Sequence, residues 1–246
     1  MRSLLIAPAE QARLAEALRS GADAVIVDLA HTAPAERAAA RAAAARFLED
    51  ARGAGARPKL IVRPNSLDSG EIDSDLDAVM AGAPDAILLP GSLGVQSVQQ
   101  LSAKLAVREA DFALPDGATR IIAVADTARS LFSMGSYRGA SARLAGVAWG
   151  AESLRRDICA EANRDGCGGY AGPYRLARDL TLLAAASAGV AAIDTDFADI
   201  HDEVGLRAEA FAARRDGFAG KMAIVPAQAT IINDVFLLRT MRLAER

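Results

Sequence analysis

Five short apolar runs of this chain each lead into polar residues of the kind that do chemistry. Asp28 closes one run, with His31 just after it. Arg63 and Asn65 close a second, Asp126 and Thr127 a third. Gly150, Glu152 and Ser153 follow a fourth, and Asp194 and Asp196 a fifth. Gathered at one place, several carboxylates and one arginine would hold an oxygen-ligated divalent cation, or form an acid/base pair beside a bound anion. Two further runs end without such a group, one in Pro90 and Gly91 and the other in Val225 and Pro226.

Each residue also has a structural reading. An Asp after a strand is often the N-cap of the next helix, and this alternative stays open for Asp126 and Asp194. Arg63 follows the apolar string LIV, where a charge needs a partner, which favours a functional reading. His31 and His201 are the only histidines and read as structural or solvated; two histidines exclude a three-histidine zinc site. Cys167 stands in a glycine-rich stretch with no histidine nearby to activate it, and reads as non-catalytic. GCGGYA has the spacing of a dinucleotide fingerprint but follows no strand, so it is set aside. Trp149, inside an apolar run, reads as core.

The elements that would position these groups alternate regularly. Strands are expected over 3–7, 24–29, 60–63, 86–89, 121–126, 146–150, 191–194 and 222–225, each nearly continuously apolar as parallel strands covered on both faces are. Helical spacing appears over 33–48, with Thr32 as candidate N-cap and Pro34 close behind, and over 72–80, 96–106, 128–134, 174–188, 206–215 and 227–243. Eight alternations predict one α/β domain over 1–246, a (β/α)8 TIM barrel; a doubly wound open sheet is the runner-up. The irregular stretch 159–173 reads as an active-site lid or a mobile surface loop. In a parallel barrel, catalytic groups come from the C-terminal ends of different strands, where the polar residues above fall.

Composition narrows the function classes. The 246 residues are 52% hydrophobic and carry a net charge of −3, without a long Lys/Arg run, which argues against nucleic acid. No apolar stretch reaches the ~18 residues of a membrane span, and the early apolar run is too short for a signal peptide. Two cysteines cannot build a disulfide framework. A soluble, cytoplasmic protein is expected.

At the strand ends the chain resembles the HpcH/HpaI aldolase and citrate lyase family, nearest its citrate lyase β-subunit branch. The strings RSLLIAPAEQARLAEALRSGADAVIVDLAH, IVRPN, APDAILLP, IIAVADTARS, LAGVAWGAESL, AIDTDFADIHDEVGLRAEA and GFAGKMAIVPAQATIIN carry the resemblance over almost the whole length. It implies a TIM barrel, a trimeric or hexameric homo-oligomer, and Mg²⁺-dependent cleavage or formation of a C–C bond in 2-oxo acids or 3-hydroxyacyl thioesters, often linked to coenzyme A. Such cleavage leaves an enolate, which a carboxylate-held cation stabilises as a Lewis acid beside a neutralising arginine.

Carried over residue by residue, the family's arginine falls on Arg63. Its IETA glutamate falls on Asp126, one methylene shorter. The metal-ligand Asp of GAEDL falls on Ser153, a neutral hydroxyl, with Glu152 beside it as a substitute ligand. DLED becomes DLAH, keeping Asp28 but placing Ala30 and His31 where the acidic pair stood. LPKVE becomes LPGSL, with Gly91 and Leu93 in place of Lys and Glu, and IHP becomes IVP at Val225. The chain also stops soon after the eighth helix, where the family often has a further segment.

The resemblance thus implies a carbon–carbon lyase with an atypical Mg²⁺ site. In it Asp126 with Ser153 or Glu152 holds the cation, Arg63 and Asp126 bind substrate, and Asp28 orients groups or moves protons. The alternatives are a non-catalytic or diverged homologue that binds a carboxylate or acyl-CoA ligand, and a metal-free lyase using Arg63 and His31.

Overall fold

The computed structural model describes residues 1–53 and 58–244, with side chains described as far as Leu237. Eight parallel strands close into a barrel in sequence order: β1 (Ser3–Pro8), β2 (Ala24–Asp28), β3 (Lys59–Arg63), β4 (Ala86–Leu89), β5 (Arg120–Ala125), β6 (Leu144–Trp149), β7 (Ala191–Asp194) and β8 (Gly220–Ala223). β1 pairs with both β2 and β8, which closes the ring. The helices are α1 (Gln11–Leu18), α2 (Arg37–Arg52), α3 (Ile72–Val79), α4 (Val95–Asp111), α5 (Ala128–Ser133), α6 (Ala151–Asp157), α7 (Gly172–Ala188), α8 (Glu203–Asp216) and α9 (Pro226–Ala244). This is the expected (β/α)8 barrel.

The unbroken apolar character of the strands has a direct cause. Successive side chains point to opposite faces, and both faces are buried here. Leu4, Ile26, Ile61, Leu88, Ile122, Val124, Ala148, Ile193 and Met222 fill the barrel interior. Their neighbours Leu5, Val25, Val27, Val62, Leu89, Ala123 and Val147 pack outward under the helices. The parity of the interior set continues to the strand ends: Asp28 is two residues past Ile26, Arg63 two past Ile61, and Asp126 two past Val124.

Four details differ from the sequence expectation. First, β8 is Gly220–Ala223, two residues earlier than 222–225. A buried Lys221 in mid-strand hides it from an apolar search. A Cβ at Gly220 would come 2.5 Å from the Met1 carbonyl oxygen, so only glycine allows this close approach to β1. Second, Thr32 caps nothing: a 3-10 turn, Pro34–Glu36, precedes α2, which starts at Arg37. Third, neither Asp126 nor Asp194 is an N-cap. Thr127 caps α5, its hydroxyl accepting from Ser130 N while Ser130 Oγ accepts from Thr127 N, and Asp202 caps α8. Fourth, the short helices α1 and α6 lie outside the expected helix set. Between Cys159 and α7 the chain forms a tight hairpin around an Arg164–Tyr170 bridge, with Asp165 accepting from the backbone N–H of Cys167 and Gly169. Among the described residues no helix is long and apolar enough to cross a membrane.

Candidate active site

A cavity of about 190 Å³ opens at the C-terminal end of the barrel, floored by the interior residues Ile6, Leu88, Val124 and Met222. Arg63, Asp126, Glu152 and Ser153 all border it, with His31, Arg156 and Asp196. Its size suits a small molecule of a few heavy atoms, well below the ~300–1,000 Å³ usual for a drug-sized ligand.

Arg63 ends β3 and Asp28 ends β2, side by side in register. Arg63 Nε donates to Asp28 Oδ1 at 2.8 Å and Nη2 to Oδ2 at 2.6 Å, a two-pronged pair that fixes the guanidinium plane. His31 Nδ1 lies 3.0 Å from Asp28 Oδ2 and, facing a carboxylate, donates to it. Ala30 N donates to Oδ1 at 3.1 Å. Burial opposes the charge on Asp28, but the His31 and Arg63 hydrogen bonds outweigh it and hold this carboxyl well below the usual carboxylate range. Both Asp28 oxygens are committed, while Arg63 Nη1 has no protein partner among the described residues.

Asp126 follows β5 and is 9% exposed. Its Oδ1 accepts from Gly91 N at 2.8 Å. Burial pushes its carboxyl up from the ordinary value, against the Gly91 hydrogen bond and the Arg63 charge. Gly150, between β6 and α6, allows the crowding here: a Cβ there would sit 3.0 Å from Asp126 Cβ and 3.8 Å from Ser153 Oγ. The backbone at 150 thus brings Asp126 and Ser153 to one wall.

Glu152 and Ser153 belong to the first turn of α6. Glu152 Oε1 pairs with Arg155 at 2.6 Å and Oε2 accepts from Asn163 Nδ2 at 3.1 Å. Ser153 Oγ is 3.5 Å from Arg156 Nη2, at the outer limit of a hydrogen bond. The α6 residues therefore give Asp126 no free second carboxylate for a hard cation. The mouth offers two half-committed carboxylates, Asp126 and Asp196, a hydroxyl and a glutamate tied to an arginine. Among the described residues no group of three or more His, Cys, Asp and Glu is placed to hold a metal ion.

Two strand-end residues are taken elsewhere. Asn65 is tied to Asp75, through its backbone N–H at 2.7 Å and Nδ2 at 2.8 Å. Asp194 has the opposite parity from Ile193 and points out of the barrel, where Trp149 Nε1 and Lys221 Nζ donate to it. Trp149 accordingly is core, its indole edge-on to Tyr170. The residue that the sequence reading missed is Arg156. Its signal is positional, since i and i+3 share a helix face and place it beside Ser153.

The family model described as HpcH/HpaI aldolase/citrate lyase matches residues 2–226. The chain is 31% identical over 178 residues to citrate lyase subunit beta of Leuconostoc mesenteroides, a match covering 72% of this chain and 57% of that relative. It is 34% identical over 237 residues to a (3S)-malyl-CoA thioesterase of Cereibacter sphaeroides, covering 96% and 76%. Among solved structures, the citrate lyase beta subunit from M. tuberculosis complexed with oxaloacetate and magnesium superposes with a TM-score of 0.80 at 30% identity, covering 95% of this chain and 96% of that one. A parallel eight-stranded barrel with its polar groups at one mouth is thus, by fold and sequence together, a member of a lyase and thioesterase family. The chain belongs to the HpcH/HpaI aldolase/citrate lyase family.

Proposed function

We propose that the chain is a carbon–carbon lyase of the citrate lyase β-like kind, acting on a small 2-oxo acid or a 3-hydroxyacyl thioester at the barrel mouth. The observation that carries this reading is Arg63. Its guanidinium is locked by Asp28, with its Nη1 donors left for a ligand in a cavity of about 190 Å³. Oxaloacetate in the M. tuberculosis structure and the malyl thioester of the Cereibacter relative's name are both of this chemical class.

In the cleavage direction the bond between the α-carbon and the carbinol carbon breaks. Its electron pair passes to the carbonyl, giving an enolate, and the hydroxyl loses its proton as the carbinol becomes a new carbonyl. Arg63 holds the carboxylate or the developing enolate oxygen, where a fixed donor gains most from charge that appears in the transition state. Asp126, on the cavity wall with one oxygen given to Gly91 N and burial raising its carboxyl, is placed to accept the hydroxyl proton. Asp28, with both oxygens occupied, is a positioning residue for Arg63.

Incubation with (3S)-malyl-CoA, followed by mass spectrometry, tests this. A lyase releases acetyl-CoA and glyoxylate; a thioesterase releases malate and free CoA and would displace the lyase reading. Binding without turnover would support the second reading, a homologue that only binds the carboxylate. The neutral hydroxyl of Ser153 and the tied carboxylate of Glu152 favour that alternative.

A further inference from the structure

The charges at the mouth divide into those already paired and those still open. Arg63 is balanced by Asp28, and Glu152 by Arg155. Arg156, one turn beyond Ser153 on α6, borders the same cavity as Arg63. Its contacts are neutral acceptors: Nε reaches the Glu152 carbonyl oxygen at 3.3 Å, and Nη2 the Ser153 hydroxyl at 3.5 Å. Among the described residues it has no carboxylate partner. A guanidinium offers five donors in a planar fork that matches a carboxylate, and this fork is almost wholly unspent.

Two carboxylates, Asp126 and Asp196, border the same cavity and repel an anion. A ligand carboxylate there needs more positive charge than Arg63 supplies, because Arg63 already faces Asp28. An exchangeable divalent cation is one source of that charge. The side chains that would hold one are compromised, as Asp126 gives one oxygen to Gly91 and Asp196 one to the Thr195 hydroxyl, Glu152 is tied to Arg155 and Asn163, and Ser153 is neutral. A guanidinium carried on the helix is a second source, and it stands beside the neutral hydroxyl.

We propose that Arg156 and Arg63 together bind the carboxylate and keto oxygens of a small 2-oxo acid without a divalent cation. Arg156 supplies, from the position i+3 to Ser153, the positive charge that a carboxylate at 153 would otherwise recruit as a metal ion. This rests on the oxo-acid reading of the mouth and adds the group that makes the site metal-independent. The pairing is also reversible in sequence. Gly150 brings residues 126 and 153 to one wall, so Ser153→Asp places a second carboxylate beside Asp126 and also neutralises Arg156.

Calorimetric titration of the full chain with pyruvate, in excess EDTA and in excess Mg²⁺, tests the proposal. For the wild type, the two dissociation constants should agree within about threefold, on the order of 0.6 kcal/mol. Arg156→Ala should weaken binding about tenfold or more in both conditions, the loss of a charge-assisted hydrogen bond. Arg156 is solvent-exposed, so the variant should melt with the wild type. Ser153→Asp should weaken binding in EDTA and restore it in Mg²⁺, a metal dependence that a merely structural role for Ser153 would not produce. Wild-type binding that disappears in EDTA and returns with Mg²⁺ overturns the proposal while leaving the oxo-acid reading intact. So does an Arg156→Ala variant that binds like the wild type. An absence of pyruvate binding in every condition overturns both.

Discussion

Two faces of the same barrel wall carry charge, and they handle it oppositely. On the outer face, Lys221 of β8 is fully buried, with Nζ donating to Asp194 Oδ2 at 3.0 Å, Glu209 Oε1 at 2.7 Å and the Thr195 carbonyl at 2.7 Å. Trp149 and Arg164 satisfy the remaining carboxylate oxygens, and the Tyr170 hydroxyl adds a second donor to Glu209 Oε1, which ties the hairpin before α7 to α8. Every ammonium donor there has an acceptor. On the inner face, at the mouth, Arg63 keeps Nη1 open, Asp126 keeps one oxygen open and Arg156 keeps most of its fork open. Closed networks are architecture, whereas open donors and acceptors held by closed ones are where a ligand fits.

The sharpest way to break this comparison is Lys221→Met. It leaves Asp194 and Glu209 buried without their common cation, and should cost about 3–5 kcal/mol in urea unfolding. A cost below about 1 kcal/mol would mean that the outer network is not structural. Asp28→Asn should act at the other face. It releases Arg63 from its two-pronged hold, and pyruvate affinity should fall about tenfold, as for a lost charge-assisted contact. Unfolding stability should change less than for Lys221→Met, because Arg63 is partly exposed. Equal pyruvate affinity in the variant would show that Arg63 does not need Asp28 for its orientation.

The smallest effect concerns pH. Glu109 is buried at the far side of the fold, and burial raises its carboxyl. The Arg143 hydrogen bond and charge, with the N–H groups of Thr119 and Gly117, outweigh that and leave it lowered overall. A lowered folded-state value means stability that is present above the unfolded glutamate range, near pH 4.3, and lost as pH falls through the folded value. Glu109→Gln should therefore destabilise by about 1–2 kcal/mol at neutral pH and flatten the acid limb of the stability curve. An unchanged acid limb would place that pH dependence elsewhere, Asp28 being another carboxyl held low.

Much of the barrel was legible in the chain because its signal is local. Continuous apolar runs separated by helical spacing report parallel strands covered on two faces, and seven of the eight expected strands overlap the observed ones closely. The eighth was displaced because Lys221 reads as a strand end unless its buried partners are known, and those come from β7 and α8. The residues around the mouth were partly legible. Arg63, Asp126, Glu152 and Ser153 do border one cavity, and strand parity alone would have sorted Asp126 inward and Asp194 outward. Asn65 and Asp194 resembled site residues until their partners Asp75, Trp149 and Lys221 were in place.

What the sequence determined by itself is the succession of strands and helices, the family, and the chemical types available at the strand ends. These follow from periodicity and from residues taken one at a time. Only the tertiary structure decided which of those charges are spent. Whether Glu152 is free or held by Arg155 and Asn163, and whether Arg156 meets a carboxylate or only neutral acceptors, depends on groups brought together by folding. A charge has its chemistry from its type, but its availability is set by its neighbours. At this mouth the neighbours leave open two arginines and one oxygen each of Asp126 and Asp196.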